Sequence, residues 1–406
     1  MGGGFHFIAS YWILFNESES TESVAWLSIA FWAPAVFFMP FSGVVVDRWN
    51  RRKLLIISLV NPAIANLVLI GIMLSEVFQP MHLYFYGPVT SLTHALFWNA
   101  LVAYLQEHLS KEELLHANGI NTALFQGGYL AGAGLAGIAF PYIGAVGAFS
   151  VDTCGLVVAI AGWMMIRRWF PDRDLLPTKS EHHSFMSDFR EGLVAVRQDM
   201  PLFGFVLLSL VPRFSAQGLN ILQVGFSKVV LKTGSMGFGL LDMAYGVGAM
   251  CCGLLFPHFA RKLKRDALLA PLALFCLSLS FLGISYTTTL AQTMAAQCIT
   301  GIAATVVGIL ANTTLQREAD NKVIGRVGSV VQLVQYSTMP LFLWGLGRFA
   351  GKEQGTLLHS EPLRDGFVLT SLVALVGAGI GVLVTLVFVR SRRSVEPMVD
   401  EPSSPT

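Results

Sequence analysis

Long apolar stretches recur along the chain, each closed by a shorter polar one. Twelve can be drawn, at residues 2–15, 23–46, 54–75, 81–104, 114–139, 141–166, 201–226, 235–259, 267–286, 289–311, 325–349 and 366–389. A helix needs about 20 apolar residues to cross the hydrocarbon core of a bilayer, and every stretch but the first reaches that length. None alternates with a period of two, so membrane strands are excluded. The pattern predicts an all-α membrane protein. The first stretch ends early, at the polar run Asn16–Thr21, and has neither a basic leader nor a small-residue cleavage site. Two readings fit it: a start placed too late on a longer helix, or a short helix that thins the bilayer around it.

Composition agrees with this pattern. Hydrophobic residues make up 54% of the chain and charged ones 13%, against about 25% charged in a soluble protein. A soluble enzyme is therefore excluded. A net charge of +2 gives no sign of a nucleic-acid partner. All five cysteines fall in apolar runs without metal-ligand spacing, and no phosphate-binding G-x-x-x-x-G-K-[ST] is present, so no cofactor, metal or disulfide is expected. Twelve spans with the N-terminus inside put 21 of the 27 Lys and Arg residues on the inner side and 5 on the outer, with Arg213 inside a span. That bias places both termini in the cytoplasm of a bacterial inner-membrane protein.

The longest polar stretch, 167–200, lies between the sixth and seventh spans. It divides the chain into a six-helix half at 1–166 and a second at 201–389. Within it, Phe185, Phe189, Leu193 and Val196 recur at helical spacing, which predicts an amphipathic helix on the inner surface. The tail at 390–406 is predicted to be disordered. A faint repeat links the halves: Gly43, Arg51 and Arg52 are matched 210 positions later by Gly253, Arg261 and Lys262, with Pro257 in place of Asp47.

The most specific motif is Gly43-Val44-Val45-Val46-Asp47-Arg48-Trp49-Asn50-Arg51-Arg52-Lys53. A glycine lets the second helix approach a neighbour closely. An aspartate at a helix end can pair with an arginine and with backbone N–H groups of another helix. The segment resembles the loop between helices 2 and 3 of the major facilitator superfamily. That resemblance implies a twelve-helix fold, two six-helix halves around a central cavity, and makes Gly43, Asp47, Arg48, Arg51 and Arg52 a conformational latch. Read without it, the arginines are positive-inside anchors. In the fifth span, Gly128, Gly132 and Gly137 resemble the glycine pattern of the superfamily's antiporters, with Ala133 and Ala136 in place of a proline and a glycine. They imply tight packing of the fifth helix against the opposite half.

The rest of the chain is similar to the enterobactin-exporter-like and macrolide-efflux-like branch. The matching pieces are Asp47–Arg52, Ala117-Asn118, Asp152, Gly239–Asp242, Gly246-Val247-Gly248 and Gly325-Arg326-Val327. The arginine that many antiporters carry in helix 4 is missing from Gly87–His94, and the first span has no acidic residue. Proton coupling by those two groups therefore does not carry over.

Ionisable groups inside spans are costly to bury and mark function. Asp242 and Arg213 are the foremost candidates, either as a structural ion pair or as cavity groups, one for a proton and one for an anionic substrate. Asp152, Asn220, Gln332, Gln335 and Tyr336 join them. Asp152, in the outer half of its span, could simply be wet. Gln332, Gln335 and Tyr336 roughly share a helix face. His6 and His94 read as relay groups or as packing residues. Trp12, Trp32 and Trp98 read as cavity lining, interfacial belt or packing.

The resulting expectation is a secondary transporter, not an enzyme: a monomer, coupled to protons, exporting a siderophore or similar small amphiphilic metabolite by alternating access. A multidrug or macrolide-type pump is the alternative, followed by a nutrient importer and a non-transporting membrane sensor.

Overall fold

The computed structural model describes residues 2–166, 193–194, 200–260, 269–318, 324–351 and 360–395. Every element among them is helical. They are α1 (Gly2–Ser18), α2 (Thr21–Arg48), α3 (Arg51–Leu74), α4 (Met81–His108), a 56-residue helix (Lys111–Ile166), α7 (Met200–Gly225), α8 (Gly234–Ala260), α9 (Leu269–Tyr286), α10 (Leu290–Glu318), α11 (Ile324–Ala350) and α12 (Ser360–Val395). The long helix is broken at Gly144, whose φ of 60° and ψ of −168° lie outside helical space. Its arms, α5 (111–143) and α6 (145–166), bring the described membrane-length segments to twelve. The expected turn between spans five and six falls at Gly144, not at residue 140. Seven of the described helices meet both the length and the apolarity needed to cross a membrane, α5 and α6 counting there as one.

Local chemistry sets the helix ends. Ser20 caps α2, its Oγ accepting from the Ser23 N–H at 3.2 Å, and Asn50 caps α3, its Oδ1 accepting from the Lys53 N–H at 3.0 Å. Ser110 and Glu113 form a reciprocal capping box at the start of α5, at 2.9 and 3.3 Å. The Ser110 N–H, with help from the Ser110 hydroxyl, holds the Glu113 carboxyl below its ordinary value. After α7 the chain makes a π-helical turn, Phe226–Val230. The turns that follow α1 and α7 each carry a non-glycine residue in left-handed geometry, Glu19 (φ 49°) and Lys232 (φ 55°). The helix α12 continues past residue 389 to Val395, so the predicted tail begins later than expected. The remainder of the tail, nearly all of the predicted 185–197 helix and the repeat positions Arg261 and Lys262 lie outside the described residues.

Glycines fix the helix contacts. In the first half α1 lies backbone to backbone on α5, Gly4 against Gly132 and Ala133, and α2 crosses α4 at Gly87, against Ala30 and Phe31. In the second, α8 meets α10 at Gly248 and Gly301, and α7 meets α12 at Gly377. Two helix pairs make the most extensive junctions between the halves, α5 with α8 and α2 with α11; α1 also touches α7 and α8, and α2 touches α7. A Cβ on Gly137 would reach the Gly239 Cα at 2.7 Å, and one on Gly351 would approach Glu22. Glu19 and Lys228 add an ion pair across the same end at 3.3 Å; exposed, it contributes little. The end bearing Ser18–Thr21, Gly144 and Leu231–Thr233 is thus closed. One buried cluster spans both halves there, from Phe15 and Val24 to Val224, Phe238 and Leu343. The cluster at the opposite end, around Leu55, Leu101 and Tyr104, draws its described residues from the first half alone.

Candidate functional site

Four helices bring polar or aromatic groups together at mid-depth. Trp32 lies about three turns into α2, His94 between three and four turns into α4, Arg213 about three turns before the end of α7, and Tyr336 about four turns before the end of α11. The Arg213 guanidinium sits 4.6 Å from the Tyr336 ring centre and 5.4 Å from that of Trp32, and the two rings are 5.7 Å apart. A cation over aromatic faces in a desolvated site contributes about 2 kcal/mol. Among the described residues no carboxylate pairs with Arg213, and its Nε has no hydrogen-bond partner. Pro340 has no N–H to offer the Tyr336 carbonyl, so backbone as well as side chain is polar at this point. Of the two readings of Arg213 and Asp242, the ion pair does not form: Arg213 lies against the faces of Trp32 from the first half and Tyr336 from the second.

From Trp32 an aromatic wall continues. His94 lies edge-on to it at 6.3 Å, and the His94 Nε2 accepts from the Trp98 indole N–H at 3.1 Å. Trp98 in turn packs against Phe125 of α5 at 4.8 Å. Trp32 therefore lies between the halves, against Arg213 and Tyr336, whereas Trp98 packs within the first half and Trp12 into the buried cluster of the closed end. Gln335 and Tyr336 part company: Gln335 donates to the Ser209 carbonyl and hydroxyl, at 3.2 and 3.1 Å, while Tyr336 faces Arg213. Successive helical residues are about 100° apart, so the shared face holds only loosely. Asn220 makes no described side-chain hydrogen bond, and the Gln332 side chain lies outside the described residues.

The two aspartates are buried apart from this site. Asp242, at 6% exposure, lies one turn beyond Gly239 on α8. Gln223 of α7 approaches it, yet Asp242 Oδ2 and Gln223 Nε2 both lack a hydrogen-bond partner. Gln223 accepts instead from Gln297 of α10 at 3.2 Å. Tyr129 of α5 and Tyr245 lie within electrostatic reach of the carboxyl, and no cation pairs with it among the described residues. Asp152 is 5% exposed and not wet. Its Oδ2 accepts from Asn66 Nδ2 at 3.0 Å and lies 3.3 Å from His6 Nδ1, while the Tyr86 hydroxyl donates to Asn66 Oδ1 at 2.7 Å. This network ties α1, α3, α4 and α6 together. Replacing Asn66 by leucine strands the Tyr86 hydroxyl and leaves Asp152 with His6 alone, at about 1–3 kcal/mol for each lost hydrogen bond. A fall of several degrees in thermal midpoint is expected in detergent; an unaltered midpoint would show that the network carries no stability.

Comparison with known proteins places this arrangement in a family. Residues 1–343 match the model of the Major Facilitator Superfamily. The chain belongs to the major facilitator superfamily. It is a multi-pass membrane transporter, not an enzyme. Macrolide efflux protein A of Streptococcus pyogenes is 23% identical over 339 residues, 82% of each chain. The protein of that name from Enterococcus faecalis is 22% identical over 322 residues, 78% of this chain and 98% of that one. Among solved structures, a point mutant of the nucleoside transporter NupG superposes with a TM-score of 0.69 at 13% identity, covering 96% of this chain and 95% of that one. The POT family transporter PepTSo gives 0.65 at 11% identity, covering 97% and 96%. At these identities the structures establish the superfamily fold.

Within that fold the α5 glycines divide their work. Gly132 serves α1 of its own half and Gly137 serves α8 of the other; Gly128 lies one turn before Gly132. In the segment after α2, Asn50 caps α3, and Arg51 pairs with Glu107 of α4 at 2.7 Å in a half-buried contact. Arg52 is buried. The side chains of Gly43, Asp47 and Arg48 lie outside the described residues. Sequence reasoning missed Glu107, a lone carboxylate at a helix end, because the α3–α4 hairpin that brings it to Arg51 spans 56 residues.

Proposed function

We propose that this transporter exports an acidic, aromatic or amphiphilic small molecule of the siderophore kind, driven by protons. One observation carries the reading: Arg213 stands between the halves, clamped by Trp32 and Tyr336, with no carboxylate paired to it among the described residues. A fixed positive charge with aromatic walls accepts an oxyanion carried on a flat, apolar body. The macrolide-efflux relatives support export as the direction. A basic macrolide, however, would bring its ammonium to an existing cation, which disfavours the macrolide-type pump for this chain.

The remaining assignments follow. The Lys and Arg bias puts both termini in the cytoplasm of the bacterial inner membrane, so the closed end faces outward and the substrate site loads from inside. The halves rock about the α5–α8 and α2–α11 contacts as a monomer. The Asp47–Arg52 segment latches the inner end, and Asp242 carries the proton.

The test compares metabolites secreted by iron-starved cells with and without the gene. The expected result is an acidic metabolite that leaves the medium and accumulates inside when the gene is deleted. Arg213→Gln reproduces the deletion, with export falling about a hundredfold, and Arg213→Lys restores part of it. An unaltered metabolite profile, together with macrolide resistance that survives Arg213→Gln, would overturn the reading in favour of drug efflux.

A further inference from the structure

We propose that His94 determines specificity in the central site, donating a hydrogen bond from its Nδ1 to an acceptor oxygen of the transported molecule. This rests on the reading of Arg213 as the anion contact, and it adds a second, uncharged requirement at the His94 contact of Trp32.

The argument starts from the indole. A tryptophan Nε1–H can only donate. Trp98 donates to His94 Nε2 at 3.1 Å, so Nε2 is the unprotonated nitrogen and the ring proton sits on Nδ1. The two residues are four apart on α4, which holds them on one face. Trp98 is itself fixed by edge contact with Phe125 at 4.8 Å and 81°. The imidazole is therefore fixed in tautomer and in orientation. Its Nδ1–H has no partner among the described residues, and the surroundings offer none: Phe31, Trp32 and Trp98 lie 6.1, 6.3 and 6.2 Å away.

A packing histidine would be enclosed, with both nitrogens satisfied. His94 is exposed, so its Nδ1–H is open to a ligand. A guest that displaces water from this donor must supply the acceptor itself, or the N–H is left unmet. Arg213 and His94 both lie against the Trp32 ring, 5.4 and 6.3 Å from its centre. The site thus fits a planar molecule with an oxyanion at one end and a neutral acceptor oxygen about a ring's breadth away. A guest lacking the second oxygen leaves Nδ1 unsatisfied, which is the kind of mismatch that discriminates strongly.

The experiment uses the full-length transporter in lipid nanodiscs, with binding read by tryptophan fluorescence and calorimetry. The probes are para-acetylbenzoate and its biphenyl homologue, each against the parent acid without the acetyl oxygen. Wild type is expected to favour one of the acetyl acids by about tenfold, the worth of one buried hydrogen bond. His94→Gln offers Trp98 an amide oxygen at the Nε2 position but has no donor at Nδ1; the tenfold preference disappears. His94→Asn keeps a donor near Nδ1 and retains most of it. Arg213→Gln weakens all of the acids together. Equal affinity of wild type for acetyl and parent acids would overturn the His94 contact alone, as would a preference that survives His94→Gln. If no acid binds to wild type, the anion reading of Arg213 fails and the His94 contact with it.

Discussion

Replacing Gly137 by leucine stops transport and leaves the closed end of the bundle open to reagents. The reason is geometric. The seam between α5 and α8 is backbone against backbone: a Cβ on Gly137 would lie 2.7 Å from the Gly239 Cα and 2.8 Å from the Ser235 carbonyl oxygen. Those atoms belong to a helix and have no rotamer through which to retreat. An isobutyl group there separates the helices by a side-chain diameter, and no rocking motion can then seal that end. The half-to-half packing of α5 on α8 continues at Gly134, against Met243, and at Gly246, against Leu130, so the displacement propagates along the seam. Transport is expected to fall at least about a hundredfold with normal membrane insertion. A reporter cysteine at Ser235, 5% exposed in the closed end, becomes labelled at least tenfold faster in a background without the five native cysteines. Gly162→Leu is the control, because a Cβ there meets nothing within 4 Å. Wild-type transport by Gly137→Leu, with Ser235 still protected, would remove the seam from the transport cycle.

How much of this was legible in the sequence depends on the length scale of the interaction. Hydropathy needs only a window of about 20 residues, and it located each of the described membrane-length helices, with the turn at Gly144 a few residues off. The α5 glycines were legible as a close-approach surface, though not that Gly132 faces α1 while Gly137 faces α8, since that depends on how three helices stack. Arg213 was legible as functional because a buried cation is costly anywhere. Its surroundings were left open between an ion pair and a cavity. A charge in a span sends the reader to the nearest opposite charge, Asp242, whereas the fold satisfies it with the faces of Trp32 and Tyr336, more than 100 residues away in either direction. Asp152 shows the same limit. Its position near a helix end suggested water, but His6, Asn66 and Tyr86 converge on it from three other helices. Intrahelical spacing finds neighbours one turn away; buried polar networks in a bundle are built between helices.

The second large effect falls on energy coupling. Asp242→Asn abolishes uphill transport and spares downhill exchange. The carboxyl lies one turn beyond Gly239, at the seam itself, with Tyr129 of the opposite half within electrostatic reach. Closed, the seam surrounds it with a glutamine amide, two tyrosines and no described cation. A buried carboxylate without a counter-charge costs several kcal/mol, and the neutral acid far less. Parting α5 from α8 admits water and lets the proton leave. Proton occupancy and seam closure are then two readings of one equilibrium, which is what coupling requires. Asparagine is close in shape to the protonated acid and cannot release a proton, so the variant still cycles but gains nothing from a pH difference. In proteoliposomes, one proton per cycle supports up to about a tenfold substrate gradient per pH unit. Wild type should approach that gradient. Asp242→Asn should accumulate no substrate while exchanging it downhill within about twofold of the wild-type rate. Accumulation that survives Asp242→Asn but is lost in Asp152→Asn would move the proton to the His6–Asp152 network, where the carboxyl already has partners and its release need not follow the seam.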